Sequence, residues 1–176
     1  MSITRQIKKR IAGLHGRKIF YLAPSMPGDA IVREMYASNE VMETVNKPWS
    51  ENWMGQRHKE FRATLDSFTR GDRMPVSERP FDKSPEAVVA RVHPVGDEVW
   101  DIRCLAPDAR IRCFGAFGGK NLFIALTWEY RENLVTKNDW DDEIEHCKAE
   151  WHRLFQTIPR FQGGSLDDYL SNYYAV

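Results

Sequence analysis

Three arginines in the middle of the chain have the residue type and spacing to hold a phosphate. Arg110 and Arg112 alternate with apolar residues, so a strand over 109–117 would project both guanidinium groups from one face. Arg103, in the segment before it, could join them from a neighbouring strand. A guanidinium stays charged and presents a planar fork of donors that matches phosphate oxygens. The pattern therefore predicts a cationic surface for a phosphodiester.

The same arginines could instead form the solvated face of a half-exposed sheet, paired across strands with Asp101 or Glu129. Cleavage of a phosphodiester also requires a proton acceptor, and an ordinary arginine is a poor one. His93 and His58 are the candidate proton carriers. A strong base is thus the part of the site that the sequence does not supply.

Cysteine and histidine spacing does not indicate a metal centre. Cys104, Cys113 and Cys147 are odd in number and lack a short paired spacing, which favours reduced thiols in the cytoplasm. His146 and His152 are six positions apart, which on a helix separates them by more than about 200°. We therefore expect no metal and no other cofactor.

The composition predicts one soluble domain over residues 1–176. A chain of 176 residues with 42% hydrophobic content can bury a core, and it has no apolar run of membrane-spanning length. Neither a secretory signal nor a membrane association is expected. The net charge of zero hides an asymmetry, because six basic residues and no acidic one precede Asp29.

Helical periodicity dominates the amino-terminal half. Ile3, Ile7, Ile11 and Leu14 recur at helical spacing with basic residues between them, and Gly16 follows as a stop. The predicted elements are a basic amphipathic helix over 1–16, a strand over 17–26, a helix from Asp29 to Pro48, a helix from Ser50 to Gly71 and an exposed loop without regular structure over 71–85.

The carboxyl-terminal half predicts a sheet followed by a helix. Turn-forming residues separate four β-rich segments at 86–95, 98–105, 109–117 and 121–130, which favours an antiparallel meander. An apolar stripe within 141–155 predicts a long helix, and the tail over 158–176 could dock through one or two helical turns.

Short motifs in this meander resemble the RelE/ParE/HigB (Gp49-like) superfamily of toxins. Trp100-Asp101-Ile102-Arg103 matches the family's strand of the form aromatic-x-(Leu/Ile)-(Lys/Arg), and Ala109-Arg110 is similar to the opening of the next strand. The segment NLFIALTWEYRE resembles the long apolar strand that ends in a basic cluster, with Arg131 at the basic position. The resemblance implies an α+β fold: an antiparallel four- to five-stranded sheet, two helices after the first strand and a C-terminal helix. The chain adds an N-terminal helix to a core over 17–157.

That resemblance also implies a function. Its members are ribosome-dependent messenger RNA endoribonucleases that attack phosphate with the ribose 2′-hydroxyl without a metal, and each is held by a cognate antitoxin protein. By the resemblance the catalytic residues are Arg103, Arg110, Arg131 and Tyr130. The residues expected to bind the nucleic acid are Arg112, Lys120, Trp128, Lys8, Lys9 and Arg10.

Two alternatives need no cleavage. The chain could be a catalytically inactive protein-binding module of the same fold. It could also be a nucleic-acid or membrane-surface adaptor built on the basic helix over 1–16, since electrostatic binding needs only clustered Lys and Arg. Strong salt dependence and loss of binding on removal of that helix would mark the adaptor.

Overall fold

The computed structural model describes residues 1–47, 53–81 and 83–176. The helices in this part of the chain are α1 (Ile3–Leu14), α2 (Asn39–Val45), α3 (Trp53–Arg70) and α4 (Lys137–Phe155). The strands are β1 (Ile19–Tyr21), β2 (Glu34–Ser38), β3 (Met74–Ser77), β4 (Val89–Arg91), β5 (Trp100–Arg103), β6 (Ile111–Gly119), β7 (Leu122–Tyr130) and β8 (Tyr173–Ala175).

The described strands form one mixed sheet of eight in the order β1-β2-β7-β6-β5-β4-β3-β8. The pairs β2–β7, β3–β4 and β3–β8 are parallel, and the other neighbours are antiparallel. The predicted fold, an antiparallel sheet of four to five strands like that of the RelE toxins, is therefore wrong. The meander β4-β5-β6-β7 is confirmed, but it is only the centre of a wider sheet.

Helices cover both faces of the sheet. On one face α1 and α4 bury their apolar stripes against Phe114 and Ile124, with Trp151 and Leu154 from α4 in the same cluster. On the other face α2 and α3 cover a second cluster that contains the fully buried Trp100. Both faces are apolar because each central strand projects alternate side chains to opposite sides. No helix in the described part of the chain is long and apolar enough to cross a bilayer.

The helix predicted from Asp29 to Pro48 is wrong in its first half. Glu34–Ser38 is strand β2, inserted between β1 and β7, and its buried Met35 and Ala37 follow the two-residue period of a strand. Only Asn39–Val45 is helical, capped by the Ser38 side chain. Met35 fits both a helical and a strand period, and backbone pairing on both edges decided between them. Pro48 lies outside the described residues.

The loop predicted over 71–85 is also wrong in part, because Met74–Ser77 is strand β3 between β4 and β8. Pro75 lies inside this strand and has no amide hydrogen, but its carbonyl still accepts a hydrogen bond from Val88 N at 2.9 Å. The tail docks as expected by burying Leu166, Tyr169 and Leu170, and then ends in the unpredicted strand β8.

The remaining helices were predicted correctly. Helix α1 buries Ile7, Ile11 and Leu14. Helix α3 ends before Gly71, whose φ of 81° is the left-handed conformation that glycine tolerates at a helix end. The predicted cap of α3, Ser50, lies outside the described residues. Helix α4 starts earlier than its apolar stripe, at a capping box made by Thr136.

Candidate functional site: a cationic pocket beside helix α4

A cavity of about 470 Å³ opens on the α4 face of the sheet. Its floor is made by β5 and β6, one wall by the first turns of α4, and the opposite wall by the segment before β4. Among the described residues, five basic side chains and two acidic ones line it. They are Lys83, Arg103, Arg112, Arg131 and Lys137, with Asp101 and Asp141.

Strand alternation places the charged side chains of the floor. Trp100 and Ile102 of β5 point into the core under α3, so Asp101 and Arg103 point to the α4 face. In the antiparallel pair β5–β6, Arg103 lies directly opposite Arg112. Neighbours in such a pair have adjacent side chains, so two guanidinium groups are brought together by backbone register.

The floor contains a single ion pair within the described part of the chain. Arg112 Nη1 donates to Asp101 Oδ2 at 3.2 Å, and both side chains are buried. Arg103 Nη1 donates to the carbonyl oxygen of Ser84 at 3.1 Å, and its buried Nε meets no acceptor among the described residues. The charge of Arg103 is therefore buried without a described carboxylate partner, an arrangement that an anion in the cavity would stabilise.

Burial weakens the charged form of two cations in the pocket. The pKa of Lys83 is lowered because burial removes water from its ammonium group, although the nearby carboxylate of Asp101 opposes this shift. The pKa of Arg112 is also lowered, mainly by burial and further by the neighbouring charge of Arg131, again against Asp101. Both shifts reflect positive charge gathered in a poorly solvated place.

The walls of the pocket are aromatic. Arg131 Nη1 donates to the carbonyl oxygen of Leu134 at 2.6 Å, which holds its guanidinium group 5.7 Å from the ring centroid of Trp140. Across the cavity Phe81, which is 64% exposed, lies against His93 with ring centroids 4.8 Å apart. The pocket thus combines cationic side chains with flat rings.

The structure brings some of the predicted catalytic residues together and separates others. Arg103 and Arg131 line the pocket, together with Arg112, which was predicted to bind the nucleic acid. Arg110 does not line it. The expectation that Arg110 and Arg112 share a face of one strand is wrong, because Arg110 precedes β6 and has a left-handed backbone with φ of 45°.

Tyr130 lies on the opposite face of the sheet, towards α3. The Cζ atom of Arg57 is 3.9 Å from its ring centroid, and its hydroxyl is 3.4 Å from His58 Nε2. His58, one of the two candidate proton carriers, therefore also lies away from the cationic pocket, whereas His93 lines it. The pKa of Tyr130 is raised, chiefly by burial.

The other residues predicted to bind nucleic acid lie outside the pocket. Trp128 packs towards α3 beside Tyr130, with ring centroids 5.0 Å apart. Lys120 is in the turn at the far end of the hairpin β6–β7, eight positions along the chain from Arg112 at the other end. The cations of α1 form a separate surface: Lys8 pairs with Glu34, Lys9 is exposed and Arg10 Nε donates to Leu154 O at 2.6 Å.

Lys83 and Trp140 are among the pocket residues that the sequence did not predict. Lys83 follows β3 in a segment interpreted as exposed loop, and its neighbour at position 82 lies outside the described residues. Trp140 precedes the apolar stripe of α4 by four residues, which is one helical turn. That spacing placed Trp140 on the sheet-facing side, and it was the one available signal.

These features define an α+β protein with an arginine-lined pocket on a mixed sheet. In the described part of the chain no three His, Cys, Asp or Glu side chains are grouped so that they could hold a metal ion. Comparison of the chain with protein-family models, with curated proteins and with solved structures found no match.

Proposed function

We propose that the pocket beside α4 binds a phosphodiester of an RNA strand and that the protein cleaves it. The observation that carries the proposal is that four cationic side chains line one cavity: Lys83, Arg103, Arg112 and Arg131. The described carboxylates of the cavity are Asp101, which pairs with Arg112, and Asp141, which pairs with Lys137. A phosphate would offset this charge, and guanidinium groups bind its oxygens in bidentate fashion. The aromatic rim suits an unpaired base.

The reaction that fits these groups is attack by the ribose 2′-hydroxyl on the adjacent phosphate. The 2′-oxygen forms a bond to phosphorus while the bond from phosphorus to the 5′-oxygen breaks. Lys83 accepts the proton of the 2′-hydroxyl, because its lowered pKa increases the fraction present as neutral amine. His93, which lines the same pocket, donates a proton to the leaving 5′-oxygen. The arginines stabilise the charge that develops on the phosphorane.

The biological setting rests on the family resemblance of the meander motifs. It supports cleavage of messenger RNA on the ribosome, a cytoplasmic location and control by a cognate antitoxin protein. None of these follows from the pocket, which explains only how an RNA phosphate is held and attacked. The cleavage assay below is therefore run with free RNA and with translating ribosomes.

The test pairs RNA cleavage with folding stability for Arg103→Met. Cleavage by the wild-type protein, in the presence of a chelator, is expected to leave a 2′,3′-cyclic phosphate and a 5′-hydroxyl, and to spare RNA with 2′-O-methyl groups. Arg103→Met should lower cleavage at least about tenfold and weaken binding of uncleavable RNA by a similar factor. It should not lower the free energy of unfolding, because it removes a buried charge that has no described carboxylate partner.

Arg73→Met is the matched control. Arg73 is exposed and lies at the opposite end of β3 from the segment that carries Phe81 and Lys83. Arg73→Met should leave both the cleavage of RNA and the binding of uncleavable RNA unchanged. RNA binding that is equally strong in Arg103→Met would remove the pocket as the binding site. RNA binding that depends on Arg103, without cleavage under either condition, would instead indicate an RNA-binding protein that does not cleave its ligand.

A further inference from the structure

A second cavity, of about 570 Å³, adjoins the first at the end of the sheet where β6 begins and β7 ends. It is lined by Arg57, Pro107, Asp108, Arg110, Arg131 and Glu132. Arg131 lines both cavities. The backbone amide of Arg131 also donates to the carbonyl oxygen of Arg110 at 2.7 Å, which fixes the two residues side by side.

The cations of the second cavity have different roles. Arg57 is buried and fully engaged: it donates to both carboxylate oxygens of Glu132, at 2.6 and 3.0 Å, and to the carbonyl oxygen of Ala109. It therefore supports the wall. Arg110 is exposed, and its guanidinium group donates no hydrogen bond within the described part of the chain, while its charge contributes to lowering the pKa of Glu132. Its left-handed backbone, with φ of 45°, is strained for a residue with a side chain, as is common at functional sites.

An exposed aromatic ring lies near Arg57, which lines this cavity. The Cζ atom of Arg57 is 3.9 Å from the ring centroid of Tyr130 and 5.5 Å from that of Trp53. Tyr130 is half-buried, but Trp53 is 67% exposed. An exposed tryptophan placed over a cation beside a basic cavity has the features of a platform on which an unpaired base stacks.

We propose that this second cavity binds the neighbouring nucleotide of the RNA strand held in the first. Arg110 contacts its phosphate, Trp53 stacks its base, and Arg131 lies between the two phosphates. The inference rests on the proposed function of the first pocket and adds to it that the natural ligand is a single strand longer than a dinucleotide. In this arrangement Arg110 binds the neighbouring nucleotide and does not contact the phosphate that reacts.

The experiment compares a short ligand with a long one. Uncleavable 2′-O-methyl forms of a dinucleoside monophosphate and of a hexanucleotide are titrated into the full chain at two salt concentrations. Arg110→Asn keeps a residue that tolerates the left-handed backbone, and Trp53→Ala removes the ring. Each is expected to raise the Kd of the hexanucleotide about tenfold and to leave that of the dinucleoside monophosphate unchanged. Arg110→Asn should also reduce the salt dependence of hexanucleotide binding by about one phosphate contact.

The outcomes separate the two proposals. If the wild-type protein binds neither ligand, the proposed function fails and the second site fails with it. If both ligands bind and both variants bind the hexanucleotide like the wild type, the second site is refuted while the first pocket stands. If Arg110→Asn weakens the binding of both ligands equally, the second site is also refuted, because Arg110 would then act at the first phosphate. Arg73→Asn, with one exposed cation removed elsewhere, controls for the loss of charge.

Discussion

At the scale of single residues, the buried arginines differ in how many of their N–H groups have hydrogen-bond acceptors within the protein. The guanidinium group of Arg57 donates hydrogen bonds to a carboxylate and to a carbonyl oxygen. That of Arg103 donates to one carbonyl oxygen, and its buried Nε meets no described acceptor. A buried donor without an acceptor costs free energy. The buried Nε atoms of Arg33 and Arg91 also meet no described acceptor, but Arg33 donates to four carbonyl groups and Arg91 pairs with Glu98. Arg103 differs because its guanidinium group donates one described hydrogen bond and lines a cavity, where an external anion could reach it.

Lys83 provides a prediction about pH. Its pKa in the folded state is lowered from the ordinary value of 10.5 by burial, so the native protein binds fewer protons than the unfolded chain between the two pKa values. Stability should therefore rise with pH across a window that ends near 10.5. Lys83→Met should remove this rise and stabilise the protein at neutral pH. Urea unfolding of both proteins across that window measures the difference.

A bound anion should raise the pKa of Lys83 again, because a negative charge nearby favours the protonated amine. The affinity of the wild-type protein for uncleavable RNA should fall as the pH rises through the lowered pKa of Lys83. The Lys83→Met variant should bind uncleavable RNA more weakly, and its affinity should lack this dependence on pH. A wild-type stability curve parallel to that of the variant would show that Lys83 is not held in a desolvated position.

At the scale of elements, one buried arginine joins three parts of the chain. Arg33 is fully buried and donates to the carbonyl oxygens of Phe68, Asp72, Ser171 and Asn172, at 2.9, 3.1, 2.6 and 3.0 Å. Phe68 lies in the last turn of α3, Asp72 follows that helix, and Ser171 and Asn172 directly precede β8. Burial lowers the pKa of Arg33 to about 10. Its role is structural, and it holds the tail against the sheet.

Arg33→Met is expected to lower the free energy of unfolding by about 3 kcal/mol, because four buried or partly buried carbonyls lose their donor. The tail should also become sensitive to protease before the rest of the chain unfolds. Denaturant unfolding and limited proteolysis measure the two effects. Arg73→Met, at an exposed position two residues before Pro75, should change stability by less than about 0.5 kcal/mol. A loss below about 1 kcal/mol in Arg33→Met would show that these bonds contribute little.

At the scale of the whole molecule, the mixed sheet determines where the site can be. The α4 face carries the cationic pocket at the end where β6 begins, while the cations of α1 lie elsewhere on the protein. The protein therefore has separate basic surfaces. Deletion of α1 would affect a purely electrostatic adaptor, and substitution of Arg103 would affect a nuclease.

Expression in a bacterium tests the nuclease at this scale. The wild-type protein should slow growth and fragment messenger RNA in translating cells. Arg103→Met, produced at the same level, should do neither, because the pocket would lack a buried cation that has no described carboxylate partner. Growth curves and mapping of RNA ends are the measurements. Normal growth with intact messages in cells that produce folded wild-type protein would contradict the proposed cleavage.

Local patterns were sufficient for the elements whose periodicity is unambiguous. They determined α1, α3, α4 and the meander β4 to β7, and with the meander the arginines of β5 and β6. They did not determine β2, β3 and β8, because each of these strands is short and stabilised mainly by a partner distant in sequence. The sequence also did not reveal Lys83 as part of the site.

The arginine pairing itself depended on both levels. The residue types and the two-residue period were in the sequence, and they predicted a shared cationic face. Only the tertiary structure decided which cations meet: the register opposes Arg103 to Arg112, a left-handed residue turns Arg110 into the next cavity, and α4 encloses Arg131 with Trp140. Register and enclosure come from contacts between distant segments, and a local pattern carries no information about them.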